Sequence, residues 1–107
     1  MRNITRRFAA SHSAAFSAKS PNDHFKRARA LEKQADNYQS NHQMDPPKLK
    51  GAALLHAADL YQLAADHYRM AGEPKDADHI EATYVETFRH RAAKLMIQAA
   101  QGDLGDG

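Results

Sequence analysis

The stretch that decides the fold covers residues 57–72 and reads AADLYQLAADHYRMAG. Alanines and tyrosines recur in it at intervals of three and four residues, the spacing of one face of an α-helix. Because small residues let two helices approach closely while aromatic rings fill the gaps, the pattern predicts one arm of a helical hairpin. Gly72, followed by Pro74, predicts the end of that arm, since glycine accepts the left-handed cap conformation and proline cannot continue the helix.

Two more helices are predicted, one on each side of this stretch. The first should start with Ser20 as N-cap and Pro21 at the first helical position and run to about Ser40. Its apolar stripe consists of Phe25, Ala28, Leu31, Ala35 and Tyr38. The last should run from Pro74 to Gln101. Its buried stripe is expected to be Ala77, Ile80, Tyr84, Phe88, Ala92, Leu95 and Ala99.

The central helix is expected to have Asp45 as cap and Pro46 as first residue, and to end near Ala71. Placed at 100° per residue, it leaves only a narrow polar strip, so it should contact neighbours on two sides. That strip is Lys48, Asp59, Gln62, Asp66 and Arg69. The short connection at Gly72 makes the second and third helices antiparallel neighbours.

Composition supports a helical domain. The chain has 107 residues, enough for one domain, and its β-branched apolar residues are only Ile4, Ile80, Val85 and Ile97. We therefore predict an all-α fold, an antiparallel bundle of three long helices, to which the N-terminal segment could add a short helix. The predicted organisation is a basic N-terminal extension over residues 1–20, a helical bundle domain over residues 21–101 and a flexible tail over residues 102–107.

The absence of cysteine excludes disulfides and a cysteine nucleophile and suits a reducing compartment, so a cytoplasmic location is expected. No apolar run approaches the roughly 18 to 20 residues of a membrane span, and no membrane partner is expected. The first twenty residues contain no acid and are rich in arginine, serine and alanine. This composition is typical of an organelle transit peptide, although a basic extension is the favoured interpretation.

Charge is distributed unevenly along the chain. Through Lys33 there are eight basic and two acidic residues, whereas the rest has seven basic and eleven acidic residues. A basic segment of this kind can follow a phosphate backbone or meet an acidic protein surface. The alternative is a solvated face that adds solubility. The candidate binding residues are Arg2, Arg6, Arg7, Lys26, Arg27, Arg29 and Lys33.

Seven histidines raise the question of a metal site. Folding the hairpin about Gly72 places His56 near the level of His90 and His67 near that of His79. Helical phase separates them, because His79 and His90 fall on a solvent stripe while His56 and His67 border the apolar face. We therefore predict no metal and no cofactor. Since no Gly-x-Ser-x-Gly or phosphate-binding glycine motif is present either, we predict that the protein is not an enzyme.

Residues Ala57, Tyr61, Ala65, Tyr68, Ala71, Gly72 and Pro74 carry a family resemblance. From residue 57 to about residue 92 the chain resembles a tetratricopeptide-type hairpin and, more loosely, the three-helix microtubule-interacting-and-trafficking domain. The tryptophan and the Leu-Gly pair of a tetratricopeptide first helix are missing. The resemblance implies a scaffold that binds a peptide or helix in a groove and carries no catalysis.

Two functions are favoured, and a histidine metal-binding bundle is the weakest third. The first is a non-enzymatic protein–protein interaction module, either an adaptor or a small inhibitory binding protein, with an exposed apolar strip involving Leu55 or Ile97. The alternative is a nucleic-acid-binding accessory protein that uses the basic N-terminal surface. Because the central helix is apolar on two sides, a second copy of the chain could also cover spare surface.

Overall fold

The computed structural model describes residues 20–106, with side chains described as far as Gly102. All regular structure in this part of the chain is helical. We label the helices α1 (Pro21–Asn41), α2 (Pro47–Met70), α3 (Pro74–Ile80) and α4 (Glu86–Asp106), and a π-helical turn, Glu81–Val85, joins α3 to α4. The all-α prediction is confirmed. Within residues 20–106 no helix is both long and apolar enough to cross a membrane.

Helix α1 begins as predicted. The Ser20 side chain accepts a hydrogen bond of 3.1 Å from the backbone N–H of Asp23, and Pro21 occupies the first turn. These contacts satisfy a donor that the helix leaves unpaired at its start. Ala28, Leu31 and Ala35 are buried, and Phe25 and Tyr38 pack against the core at either end of the same stripe.

The start of α2 differs from the prediction by one residue. Pro46, with ψ of 159°, is the cap and Pro47 is the first helical residue. The ring of Pro47 disfavours helical backbone at the residue before it, which explains why the helix cannot begin at Pro46. Asp45 instead lies 2.7 Å from Nδ1 of His42 in the preceding turn. At the other end Gly72 has φ of 81°, which confirms the predicted cap.

The third long helix is continuous from α3 through the π-helical turn into α4. The backbone stays helical to Asp106, five residues beyond the predicted end at Gln101. Glycine ends a helix when it takes a positive φ, and Gly102 instead keeps helical backbone. The π turn holds one residue more than an α-helical turn, and it places both Ile80 and Val85 in the core.

The described residues form an elongated layer of about 62 × 28 × 19 Å, with α2 in the centre. Helix α1 packs on one side of α2, and the α3–α4 helix packs on the other. From Asp36 back to Glu32 of α1, the contacts advance along α2 from Tyr61 to Tyr68. From Arg89 back to Glu81, they advance along α2 from Asp59 to Arg69. Consecutive long helices are therefore antiparallel, as predicted. Among residues 20–106, α1 and the α3–α4 helix have no Cα atoms within 8 Å of each other. They therefore leave a cleft above α2.

Candidate binding cleft between α1 and α3

The cleft lies between α1 and α3, above the C-terminal half of α2. It is open, has a volume of about 240 Å³, and is lined by residues of all three helices. Tyr68 and Ile80 are buried, so they form its floor. The walls are Phe25, Arg29 and Glu32 from α1, and Asp76 and His79 from α3. The cleft thus combines an apolar floor with a rim that carries both signs of charge.

Tyr68 connects the floor to the α1 wall. Its hydroxyl donates a hydrogen bond of 2.6 Å to Oε1 of Glu32, and its ring and that of Phe25 meet edge to face with centroids 5.7 Å apart. Burial, and then the hydrogen bond to Glu32, raises the pKa of Tyr68 far above its ordinary value. The phenol stays protonated and holds the Glu32 carboxylate in one orientation at the cleft wall.

A second tyrosine, Tyr61, repeats this arrangement two turns away along α2. Its hydroxyl donates to Asp36 of α1, while its ring stacks on Tyr84 at 4.6 Å and meets Phe88 edge to face at 5.5 Å. Burial, followed by the contact with Asp36, raises the pKa of Tyr61 well above 10. Tyr61 therefore contacts both α1 and the last helix, and it fills the interior next to the cleft.

The predicted binding residues fall into three groups. Arg2, Arg6 and Arg7 lie outside the described residues. Lys26, Arg29 and Lys33 are exposed and lie at i, i+3 and i+7, which places them on one face of α1. Arg29 is the member of this set that lines the cleft, with its guanidinium 5.9 Å from the centre of the Phe25 ring. Arg27 is also exposed but lies on another side of α1, where its charge acts on His67.

An ion-pair network fixes α3 to α2 beside the cleft. Arg69 donates to Glu81 at 2.6 Å and to Asp78 at 2.9 Å, and the Gln62 side chain donates to Glu81 at 2.7 Å. The hydrogen bonds from Arg69 and Gln62 lower the pKa of Glu81 to about 2. Glu81 is therefore ionised at every physiological pH, and the α3 wall keeps its position.

Two of the histidines that the hairpin fold about Gly72 places make contacts with α1 that the folding does not predict. His67 pairs with His24 of α1, with their Nδ1 atoms 2.9 Å apart, and the His56 ring lies 4.3 Å from Tyr38. His79 and His90 are exposed, as predicted. No group of three or more potential metal ligands occurs among the residues with described side chains. The His24–His67 pair was missed because it depends on the register of α1 against α2, which the spacing within the hairpin does not define.

A second concave surface lies at the opposite end of α2. It is an apolar groove of about 340 Å³ between α2 and α4, lined by Lys48, Ala52, Met96, Ala99 and Ala100. Leu55 follows Ala52 by one turn of α2 and is 38% exposed, and Ile97 of α4 is 58% exposed. The predicted exposure of Leu55 and Ile97 is confirmed.

The two concave surfaces differ in what they can bind. The α1–α3 cleft offers a guanidinium, carboxylates, an imidazole and aromatic surface, so it suits noncovalent recognition of a polar segment with an apolar side chain. The groove between α2 and α4 offers methyl groups and a thioether, so it suits an apolar side chain. Comparisons of the chain with known protein families, with curated proteins and with solved structures found no match.

Proposed function

We propose that the protein is a non-enzymatic helical interaction module that binds an acidic segment of another protein at the α1–α3 cleft. The observation that carries the proposal is the position of Arg29, which is exposed at the cleft wall above an apolar floor. A guanidinium can receive a carboxylate through two parallel hydrogen bonds, and the floor can receive a neighbouring apolar side chain. An adaptor or a small inhibitory protein would use such a cleft in the same way.

Two further observations support this proposal. Lys26 and Lys33 extend the positive charge of Arg29 along one face of α1 over about 10 Å. The cleft walls are held in place by Tyr68 bound to Glu32 and by Arg69 bound to Glu81, so little side-chain ordering is needed on binding. The resemblance of residues 57–92 to a tetratricopeptide-type hairpin points the same way. The proposed location is cytoplasmic, which a cysteine-free chain suits.

The second candidate is a nucleic-acid-binding accessory protein. Lys26, Arg29 and Lys33 share one exposed face, and Arg2, Arg6 and Arg7 precede them in the sequence. Such a set could neutralise several phosphates, and its affinity would then fall steeply with added salt. Nucleic acid would meet carboxylates on both walls and leave the apolar floor unused, whereas an acidic protein segment can place one carboxylate on Arg29 and an apolar side chain on the floor. For this reason the nucleic-acid function ranks second.

One titration separates the two candidates. We would follow the fluorescence anisotropy of a labelled helical peptide of glutamate, alanine and leucine, alongside duplex DNA, single-stranded DNA and RNA of equal charge. The full chain should bind the acidic peptide, and Arg29→Gln should weaken that binding about tenfold, the effect of one charge-assisted hydrogen bond. Lys94→Gln is the matched control, since Lys94 is an exposed cation on α4.

The possible results have distinct meanings. If nucleic acid binds more tightly than the peptide and with a steep salt dependence, the second candidate replaces the first. If Arg29→Gln and Lys94→Gln weaken peptide binding equally, attraction is general rather than localised, and the cleft is not the site. Absence of binding to any probe at low salt would contradict both candidates.

A further inference from the structure

The side of α2 that faces away from the core carries a regular stripe with a mixed character. We call Ala52, Leu55, Asp59, Leu63, Asp66 and Met70 the outer stripe. They recur at intervals of three and four residues, so they share one face of the helix. Leu63 is 48% exposed and Met70 is 55% exposed. Large apolar side chains in such a row are typical of a surface that another helix covers.

The charges on and beside the outer stripe balance. Asp59 and Asp66 lie in the stripe, Lys48 lies one turn before Ala52, and Arg89 of α4 lies 3.5 Å from Asp59. Two cations and two carboxylates leave this face neutral. A neutral face gives no preference for a strongly basic or strongly acidic partner, whereas it allows two identical faces to approach without net repulsion.

The outer stripe of one copy is complementary to the outer stripe of a second copy that runs in the opposite direction. If a two-fold axis passes beside Asp59, Leu55 of each copy lies level with Leu63 of the other. Lys48 of one copy then lies about one helical turn from the position level with Asp66 of the other, within reach of a lysine side chain. The two copies of Asp59 meet near the axis, where both copies of Arg89 compensate them.

Met70 and the apolar groove also match in this arrangement. The two-fold axis places Met70 of one copy level with Lys48 of the other, at the groove that Ala52, Met96 and Ala100 line. Methionine is flexible and polarizable, so it fills an irregular apolar groove well. An exposed apolar side chain and an exposed apolar groove are thereby paired twice, once on each side of the axis.

We propose that the outer stripe is a homodimer interface in which α2 packs antiparallel against α2 of a second copy. Each copy places Met70 in the apolar groove of the other, and Lys48 pairs with Asp66 across the interface. This surface lies away from the α1–α3 cleft, so each copy of the dimer keeps its cleft open. The dimer would present two clefts to a partner.

A charge-swap series in the full chain tests the predicted pairing. We expect the wild-type protein to sediment as a concentration-dependent dimer. Lys48→Glu and Asp66→Lys should each weaken the dimer about tenfold, since each substitution acts twice across the two-fold axis. The double variant should restore the dimer to within about threefold of wild type. Lys94→Glu is the control and should leave association unchanged.

Restored association of the double variant would show a contact between two copies, because Lys48 and Asp66 are far apart within one copy of α2. Within one chain Lys48 and Asp66 are 18 residues apart in the same helix, or about 27 Å, so no contact inside a single copy can couple them. Circular dichroism of each single variant would show that it still folds. Single variants without effect, or a double variant that is weaker than either single variant, would overturn the proposed pairing.

A cysteine test addresses the axis itself. Because the chain contains no cysteine, a single Asp59→Cys substitution provides one thiol per copy. Near a two-fold axis that thiol should form a disulfide-linked dimer under mild oxidation, whereas Asn37→Cys on the exposed side of α1 should not. Equal cross-linking of the two variants would overturn the interface, and so would a wild-type protein that stays monomeric at about 500 µM.

Discussion

Toward α1, helix α2 presents phenol hydroxyls and imidazoles, whereas toward α4 it presents a glycine, alanines and aromatic faces. The first interface is closed by hydrogen bonds from Tyr61 and Tyr68 to carboxylates and by the His24–His67 pair. The second depends on close approach at Gly51, where an added Cβ would lie 3.2 Å from Met96 and 3.4 Å from the carbonyl oxygen of Ala92. The stability contributed by the α1 interface should therefore depend on pH, and that contributed by the α4 interface should depend on side-chain volume.

The largest effect is expected at Tyr61, the residue that belongs to both interfaces. It is 2% exposed, and Tyr61→Ala removes the stack on Tyr84, the edge contact with Phe88 and the hydrogen bond to Asp36. We expect the free energy of unfolding to fall by about 3 to 5 kcal/mol in urea denaturation. Tyr61→Phe should lower it by only about 1 kcal/mol, because the aromatic packing stays and Asp36 remains in contact with water. Equal losses for the two variants would show that the hydroxyl, not the ring, joins the interfaces.

The next largest change in the free energy of unfolding is expected at the α4 interface. Gly51→Val adds volume where Gly51 of α2 faces Met96 and Ala92 of α4, and we expect it to reduce the free energy of unfolding by about 1 to 3 kcal/mol. Gly51→Ala should stay within about 0.5 kcal/mol of wild type, because the flexible Met96 side chain can yield and alanine favours the helix. Ala30→Val, at an exposed position of α1, is the control. A Gly51→Val protein as stable as that control would mean that the two helices can separate without penalty.

Much of the difference between the α1 and α4 interfaces could be predicted from sequence, since it follows from helical spacing. The stripe of α1, the cap at Gly72 and the burial of Tyr61 and Tyr68 all follow from local periodicity and turn chemistry. The α1–α3 cleft could not be predicted, because it depends on how two helices that do not contact each other are placed on a third. Arg29 was a candidate from charge alone, and its position on the cleft wall required the fold.

The π turn explains the main difference between the predicted and observed cores. The buried residues of the last helix are Ala77, Ile80, Val85, Phe88 and Ala92, at intervals of 3, 5, 3 and 4, and the half-buried Tyr84 and Leu95 pack against them. A regular helix cannot place residues five apart on one face, so the stripe predicted from sequence used Tyr84 and omitted Val85. In the structure the π turn admits Val85 to the core and leaves Tyr84 half-buried on the Tyr61 ring.

Alkaline pH should lower the free energy of unfolding through the two tyrosines that donate to carboxylates of α1. The pKa values of Tyr61 and Tyr68 in the folded protein are raised above the ordinary value near 10, chiefly by burial. Their contribution is complete below about pH 10 and is lost as pH rises further, because only the unfolded chain then releases these protons. Each tyrosine should reduce stability by about 1.4 kcal/mol per pH unit above that point. Tyr68→Phe should remove about half of this slope in denaturation measured between about pH 9 and pH 11; an unchanged slope would contradict the assignment.

Mild acid should produce the smallest effect, again at the α1 interface. Burial, and then the charges of His24 and Arg27, lower the pKa of His67, while Asp66 raises it. The unfolded chain therefore binds this proton first, so stability is complete above the ordinary histidine pKa near 6.5 and declines as pH falls through the lower folded value. His67→Gln should flatten this decline in denaturation compared at about pH 7.5 and about pH 5, whereas His90→Gln, at an exposed site, should leave it unchanged. Imidazole titration by NMR gives the direct measurement: a His67 pKa at or above the ordinary value near 6.5 would mean that the pair does not act as a proton-sensitive contact between α1 and α2.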